Sequence, residues 1–280
     1  MSIVNTDQAD FWSSEAGQVW VAHQDEFDTL LQQALEAVLQ HAAPRPGESV
    51  LDVGCGTGAS SLRLSDMVGN AGGVTAVDIA PPLLNRARAR AGARANLRFE
   101  HGDAQTHPFD RASADLVFSR FGVMFFADPL AAFANLRRAA RPDGRLAMIC
   151  WQGAPDNPWV MVPMQAAMDR LGKPEPIDPH APGPMAFKDI DRVTGILSAA
   201  GWRNAKGTPV EVDLIPPQTL ESAADFATSA GPATRVLRER NGSDEDAAAI
   251  CAACASGFAP YLKAHGLRIP ARLIVYTADA

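Results

Sequence analysis

The sequence is short of cations, of cysteine and of long apolar runs. Lys and Arg together number 25 against 32 Asp and Glu, a formal net charge of −7. A nucleic-acid groove needs clustered Lys and Arg to neutralise phosphates, so this balance argues against a nucleic-acid partner and favours a small-molecule substrate. No apolar run approaches the roughly twenty residues that span a bilayer, and the first ten residues, MSIVNTDQAD, lack a basic stretch followed by an apolar one. No membrane insertion and a cytoplasmic location are therefore expected. The four cysteines make no framework: Cys55 lies in a glycine-rich stretch, Cys150 in an apolar one, and Cys251 and Cys254 share a helical pattern. With no second C-x-x-C and no H-x-x-x-H, structural thiols and no metal are expected. What is there is 280 residues at 47% hydrophobic, enough for one large core, or a core plus a lid.

The chain is organised around residues 47–60, GESVLDVGCGTGAS. An apolar run through Val53 breaks into Gly54, Gly56 and Gly58, and a new periodic segment follows with Leu62 and Leu64. That order predicts strand, tight loop, helix. Glycines let the backbone turn sharply and let a ligand lie on it, and the helix start presents unpaired N–H groups. A dinucleotide loop would read G-x-G-x-x-G, whereas this one reads G-x-G-x-G. Asp52, just before the first glycine, would repel a pyrophosphate but suits an ammonium group.

The following segments alternate. Residues 60–67 continue the first helix, and 74–77 form a second strand with Asp78 at its carboxyl end, some twenty residues beyond the loop. An acid at that point of a nucleoside-binding α/β fold accepts from both hydroxyls of an unphosphorylated ribose. Residues 83–94 read as a helix whose Arg86, Arg88, Arg90 and Arg94 form a solvated face. A third strand at 97–100 runs into GDAQTHPF, with Gly102, Asp103 and Ala104 at its end. A fourth, 114–119, runs into RFGVMFFADP, whose apolar residues flank a ligand or open a buried turn. Asp128 and Pro129 mark a helix start, and RPDG a turn into a fifth strand, RLAMICW. Such alternation implies a parallel sheet with ligands at the carboxyl ends of the strands.

In this order LDVGCGTG, VDIA, GDAQTHPF and SRFGVMFF resemble the class I S-adenosylmethionine-dependent methyltransferases over residues 8–151. The likeness is nearest the small-molecule branch that includes the ubiquinone- and menaquinone-biosynthesis-type enzymes. It implies an α/β fold: a Rossmann-like seven-stranded sheet, a parallel core with a C-terminal antiparallel pair, flanked by helices, plus a helical lid from insertions. It also implies S-adenosyl-L-methionine bound by Asp52, Gly54, Cys55, Gly56, Thr57 and Gly58, with Asp78 and Ile79 at the ribose. Gly102, Asp103 and Ala104 would hold the adenine, Asp103 accepting from its amino group. Ser119, Arg120 and Phe121 close the set, and an N-P-P-[YF] after the fourth strand, the mark of many DNA, RNA and protein-amide enzymes, is missing.

Residues 1–46 read as a helical leader, aromatic-rich at Phe11, Trp12 and Trp20, then regular from Phe27 to Leu39 as one helix. In the resembled family such a leader closes over the cofactor, which would put Trp20 and His23 at the site; alternatively Trp20 covers core. His23 is the candidate general base should the acceptor need one. Residues 47–151 form the cofactor-binding core. Residues 152–280 complete the sheet with strands at 209–215 and 272–277, and carry lid insertions at about 152–187 and 216–269. Met161, Met164, Met168 and Leu171 share one helical face, as core or as an adaptable pocket wall. Helices are expected from Thr219 and Ser243, the second ending at His265-Gly266. Other readings stay open: an NAD-dependent oxidoreductase on a similar fold, a non-catalytic S-adenosylmethionine-binding protein, and an arsenic-type enzyme using Cys251 and Cys254. The motifs leave the acceptor atom open among oxygen, nitrogen, carbon and sulfur, and leave the oligomeric state open.

Overall fold

Alternation within the strands decides where the layers go. In β1 (Ser49–Val53) Val50 faces one side of the sheet and Leu51 and Val53 the other, and in β4 (Ala114–Arg120) Leu116 and Phe118 oppose Val117 in the same way. Both faces are apolar, so both are covered by helices, as a parallel sheet requires. The computed structural model describes residues 3–176 and 178–280. Within them β1, β2 (Gly73–Asp78), β3 (Leu97–His101), β4, β5 (Ala140–Trp151), β6 (Arg203–Leu214) and β9 (Ile269–Asp279) form a seven-stranded sheet in the order β3-β2-β1-β4-β5-β9-β6. Pairing is parallel from β3 through β5, while β9 runs antiparallel to both β5 and β6. A two-residue strand pair, β7 (Leu262–Lys263) and β8 (Gly266–Leu267), stands apart. The chain steps outward from β1 to β2 and β3, then returns to place β4 on β1's other side. That reversal opens a crevice at the carboxyl ends of β1 and β4.

One face carries α4 (Gln32–Ala42), with α8 (Pro158–Leu171), α10 (Leu220–Ser229) and α12 (Asp244–Phe258) packed together beyond it. The other carries α7 (Pro129–Ala139) and α9 (Ile190–Ala199) around Phe133, Leu136, Val193, Leu197 and Trp202. Toward the β3 edge α5 (Ala59–Val68) and α6 (Pro81–Ala91) flank β2. The leader is three short helices before α4: α1 (Thr6–Ser13), α2 (Glu15–Ala22) and α3 (Gln24–Leu30). α11 (Thr234–Glu239) completes the set. Asp128 caps α7 by accepting from Ala131 N–H at 3.0 Å, and Ser243 with Asp246 forms the capping box of α12.

Several sequence expectations are corrected. The helix expected from Phe27 to Leu39 breaks at Leu31, because Phe27, Leu30 and Leu31 must bury together with the α4 face. The helix after β2 stops at Gly92, whose φ of +59° ends it before Arg94. RPDG is no free turn: β5 already begins at Ala140, which pairs with Ala114, and the register then shifts so that Arg145 pairs with Leu116. The extra residues are accommodated as a bulge, with the Arg141 guanidinium on the Asp115 carboxylate. α12 ends at Phe258, and His265-Gly266 falls in the β7–β8 hairpin, where Gly266 adopts φ +103°. In the proline-rich stretch 172–184, Ile177 lies outside the described residues.

Candidate functional site

The glycine loop leaves β1 with Gly54, Gly56 and Gly58 at φ +67°, +55° and +88°. At Gly54 a second requirement is added, since a Cβ there would stand 2.6 Å from Gly122 Cα. The ends of β1 and β4 therefore touch backbone to backbone. Ser119 locks the contact: its Oγ donates to the Val53 carbonyl at 2.7 Å and accepts from Gly122 N–H at 3.2 Å. Phe121, between them, is held at φ +59°, an unfavourable region for a bulky residue. Its N–H bonds to the Ile149 carbonyl at 3.1 Å and its ring stacks on Trp151, centroids 5.1 Å apart.

Asp78 closes the loop from the other side. Its Oδ2 accepts from Gly56 N–H at 2.7 Å and its Oδ1 from Ala80 N–H at 2.9 Å. Burial raises its pKa, and those two N–H groups oppose the rise. Ile79 follows, its carbonyl 3.1 Å from His101 Nε2. Cys55 is buried with its thiol pushed well above its ordinary pKa, so it is a packing residue and no nucleophile.

Around the start of α5 three buried polar atoms, Asp52 Oδ1, Arg120 Nη1 and Asp28 Oδ1, have no hydrogen-bond partner among the described residues. Asp52 is fully buried and its Oδ2 accepts from the hydroxyls of Ser60 and Ser61 at 2.7 and 2.6 Å. Burial pushes its carboxyl up to about 6, against the pull of those hydroxyls and the Arg120 charge. Burial also lowers the pKa of Arg120, while the charges of Asp28 and Asp52 support its cation. An unpaired buried polar group costs about 1 to 3 kcal/mol. Two carboxylate oxygens and one guanidinium nitrogen left open together match a zwitterion: ammonium on the acids, carboxylate on the arginine.

Asp28 comes from the leader, where no motif singles it out. Its Oδ2 accepts from Gln24 Nε2 at 2.7 Å and from Arg90 Nη2, while Arg90 Nη1 donates to the Thr57 carbonyl at 2.7 Å. Gln24 Oε1 accepts from Arg86 Nη2 at 2.8 Å. The expected solvated arginine face is exposed at Arg86, Arg88 and Arg94, and it also has a second use: Arg86 and the half-buried Arg90, one helical turn apart, meet Gln24 and Asp28, also one turn apart, and tie the leader to α6. The only signal for this was a pair of polar residues at i, i+4 beside Phe27.

At the end of β3, Asp103 is buried; its Oδ1 accepts from Gln105 N–H at 3.0 Å. Asn135, also unflagged in the sequence, donates through Nδ2 to the carbonyls of Ala104 and His107, both at 2.9 Å. A Cβ on Gly102 would strike His107 Nδ1 at 2.3 Å, so that turn admits only glycine. Trp20 and His23 keep different company. Trp20 stacks on Phe27 at 3.8 Å, Phe27 meets Phe226 of α10 edge-on at 4.9 Å, and the His23 ring lies 5.5 Å from Phe226. His23 Nδ1 is 3.6 Å from Glu26 Oε1, and the ring is about one-third exposed. In α8 the core-facing residues are Trp159, Val160, Pro163 and Ala167, which leaves Met161, Met164 and Met168 half-buried.

Residues 50–144 match the family described as Methyltransferase domain. Over 185 residues the chain is 30% identical to nocamycin O-methyltransferase of Saccharothrix syringae, covering 62% of this chain and 66% of that one. It is 35% identical over 107 residues to demethylmenaquinone methyltransferase of Staphylococcus aureus, covering 38% and 44%. The chain thus spans just under two thirds of the first relative and under half of the second. Among solved structures, a SAM-dependent methyltransferase from Aquifex aeolicus superposes with TM-score 0.52 at 24% identity, covering 72% of this chain and 93% of that one. Phosphoethanolamine N-methyltransferase 2 of Haemonchus contortus does so with TM-score 0.59 at 14% identity, covering 99% and 60%. The fold and the crevice at the β1–β4 reversal are those of the Rossmann-like methyltransferases. Residues 50–144 of this chain match a methyltransferase domain, and the fold around them is the Rossmann-like one.

Proposed function

We propose that the protein transfers a methyl group from S-adenosylmethionine to a small organic acceptor. The observation that carries this reading is the set of open buried atoms on Asp52, Arg120 and Asp28, opposite in charge and set behind a glycine loop. An amino-acid head group would satisfy all three. Asp78 would hold the ribose, Asp103 and Ala104 the adenine, and Gly54, Gly56 and Gly58 the path between. S-adenosylmethionine supplies an electrophilic methyl on a sulfonium whose charge disperses as the new bond forms. The chain's own work is then to fix the reactants and exclude water rather than to stabilise an oxyanion. The aromatic residues Trp20, Phe27 and Phe226, shared between leader and α10, support a dry enclosure. His23 is the residue proposed to take a proton from a hydroxyl acceptor of high pKa.

The reading includes a division of labour: leader 1–46, cofactor core 47–151, and a lid drawn from about 152–187 and 216–269. Half-buried Met161 and Met164 on α8 support an adaptable acceptor wall. The net charge of −7 supports an acceptor other than nucleic acid, and four free thiols support a reducing, cytoplasmic setting. No helix among the described residues is long and apolar enough to cross a membrane. Calorimetry with S-adenosylmethionine and with NAD tests the reading. Binding of the first alone is expected, and binding of NAD alone would overturn it. A methyl-transfer screen with quinol, phenol and amine acceptors should then find turnover, and substitutions at Met161 or Met164 should move acceptor KM while leaving cofactor Kd nearly constant.

A further inference from the structure

The leader begins by touching the acid proposed to read the adenine. Val4 and Asn5 donate their backbone N–H groups to Asp103 Oδ2 at 3.1 and 3.0 Å, across about a hundred residues of sequence. The segment is pinned there by Asn5 itself, buried, whose Nδ2 donates to the Phe125 carbonyl at 2.8 Å. A second anchor follows one helix later, where Trp12 meets the Phe125 ring edge-on at 5.4 Å.

A carboxylate offers about four in-plane acceptor positions, two on each oxygen. On Asp103 both positions of Oδ2 are taken by the strap, and one of the two on Oδ1 by Gln105 N–H. Among the described residues one acceptor position is left, on Oδ1. Three N–H donors also fix the torsion of the side chain.

We propose that Val4 and Asn5 are positioning residues for cofactor recognition: their N–H groups fix the Asp103 carboxylate so that its single open lone pair meets the exocyclic amino group of adenine. This rests on the assignment of Asp103 to adenine. An amino group donates to that position, whereas the carbonyl of a hypoxanthine in the same place would set acceptor against acceptor. The strap therefore governs the choice of base as well as affinity, although it touches no part of the ligand itself.

Proline at position 4 breaks the contact outright, because it removes the N–H and sets its Cδ against Asp103 Oδ2. The Val4 side chain is 47% exposed, so its loss costs no core, and Val4→Ala keeps the donor as the control. Calorimetry would use S-adenosylhomocysteine and S-inosylhomocysteine, which differ at the exocyclic group. Relative to Val4→Ala, Val4→Pro should bind S-adenosylhomocysteine about three- to tenfold more weakly, part of what a hydrogen bond to a charged group is worth. S-inosylhomocysteine should be held nearly unchanged, so that discrimination between the two falls. With Asp103→Asn already present, Val4→Pro should add nothing. A purely structural strap would weaken both ligands equally, and that result overturns the proposal. So would tighter binding of S-adenosylhomocysteine by Val4→Pro, which would make the strap a competitor of adenine. If Asp103→Asn alone leaves discrimination intact, the adenine assignment fails and the strap's role falls with it. If Asp103→Asn abolishes discrimination while Val4→Pro matches Val4→Ala, the strap proposal alone is wrong.

Discussion

Asp78 reaches back 22 residues to accept the Gly56 N–H at 2.7 Å. One carboxylate therefore both shapes the glycine loop and is the group proposed to hold the ribose, with a second oxygen steadied by Ala80 N–H at 2.9 Å. Shape and recognition are coupled there: a change at Asp78 alters what holds the ligand and the loop the ligand lies on.

Asp78→Ala is expected to weaken S-adenosylmethionine binding by about tenfold to a hundredfold, the value of hydrogen bonds to a charged group. Asp78→Asn should fall between, since its amide oxygen can still accept from one of the two N–H groups. Isothermal titration gives the dissociation constants. An unchanged Kd in the alanine variant would remove Asp78 from the ribose.

Asp52 gives a pH signature of two opposite signs. Its folded pKa, about 6, stands above the ordinary 3.8, so the fold favours the protonated carboxyl. Its contribution to ligand-free stability is complete below pH 3.8 and is lost as pH rises through about 6. Asp52→Asn, always neutral, should match the parent's melting temperature near pH 4 and exceed it at pH 7. Cofactor binding runs the other way, because an ammonium group prefers the ionised acid. Affinity for S-adenosylmethionine should rise between pH 5 and 7 in the parent, by at most about tenfold per unit, and stay flat in Asp52→Asn. Parallel pH profiles for the two proteins would contradict the ammonium role.

Arg90 joins Asp28 of the leader to the Thr57 carbonyl of the loop, with side chains only 18% and 22% exposed. Arg90→Ala leaves a partly buried carboxylate without its cation, held only by Gln24 Nε2, so a loss of about 1 to 3 kcal/mol in denaturant unfolding is expected. Arg90→Lys should recover only part of it, since one ammonium replaces a guanidinium that spans two partners. Hydrogen exchange should speed up in residues 6–31 of both variants. Unaltered protection there would show that the aromatic contacts hold the leader alone.

His23→Ala is expected to lower kcat more than tenfold with a hydroxyl acceptor, with S-adenosylmethionine affinity within a few-fold of the parent. Full activity of His23→Ala at every pH would leave proximity as the source of the rate.

The sequence by itself determined what depends on near neighbours. Glycines at 54, 56 and 58 between an apolar run and a periodic one leave the backbone one sharp route, so strand, loop and helix were legible, as were Asp78 at a strand end and the cap at Asp128. Strand alternation with helices gave the parallel core, since two-faced apolar strands need cover on both sides, whereas the antiparallel β9 was implied by the family resemblance alone. Only the tertiary structure decided which polar groups meet. Asp28 and Arg90 lie 62 residues apart, Asn5 and Asp103 lie 98 apart, and nothing in the composition of either partner distinguishes it from a solvated surface residue. Charged side chains look alike in a sequence whether water or protein satisfies them. Their roles are set by distance and desolvation, which exist only once the leader has packed across α6 and the end of β3.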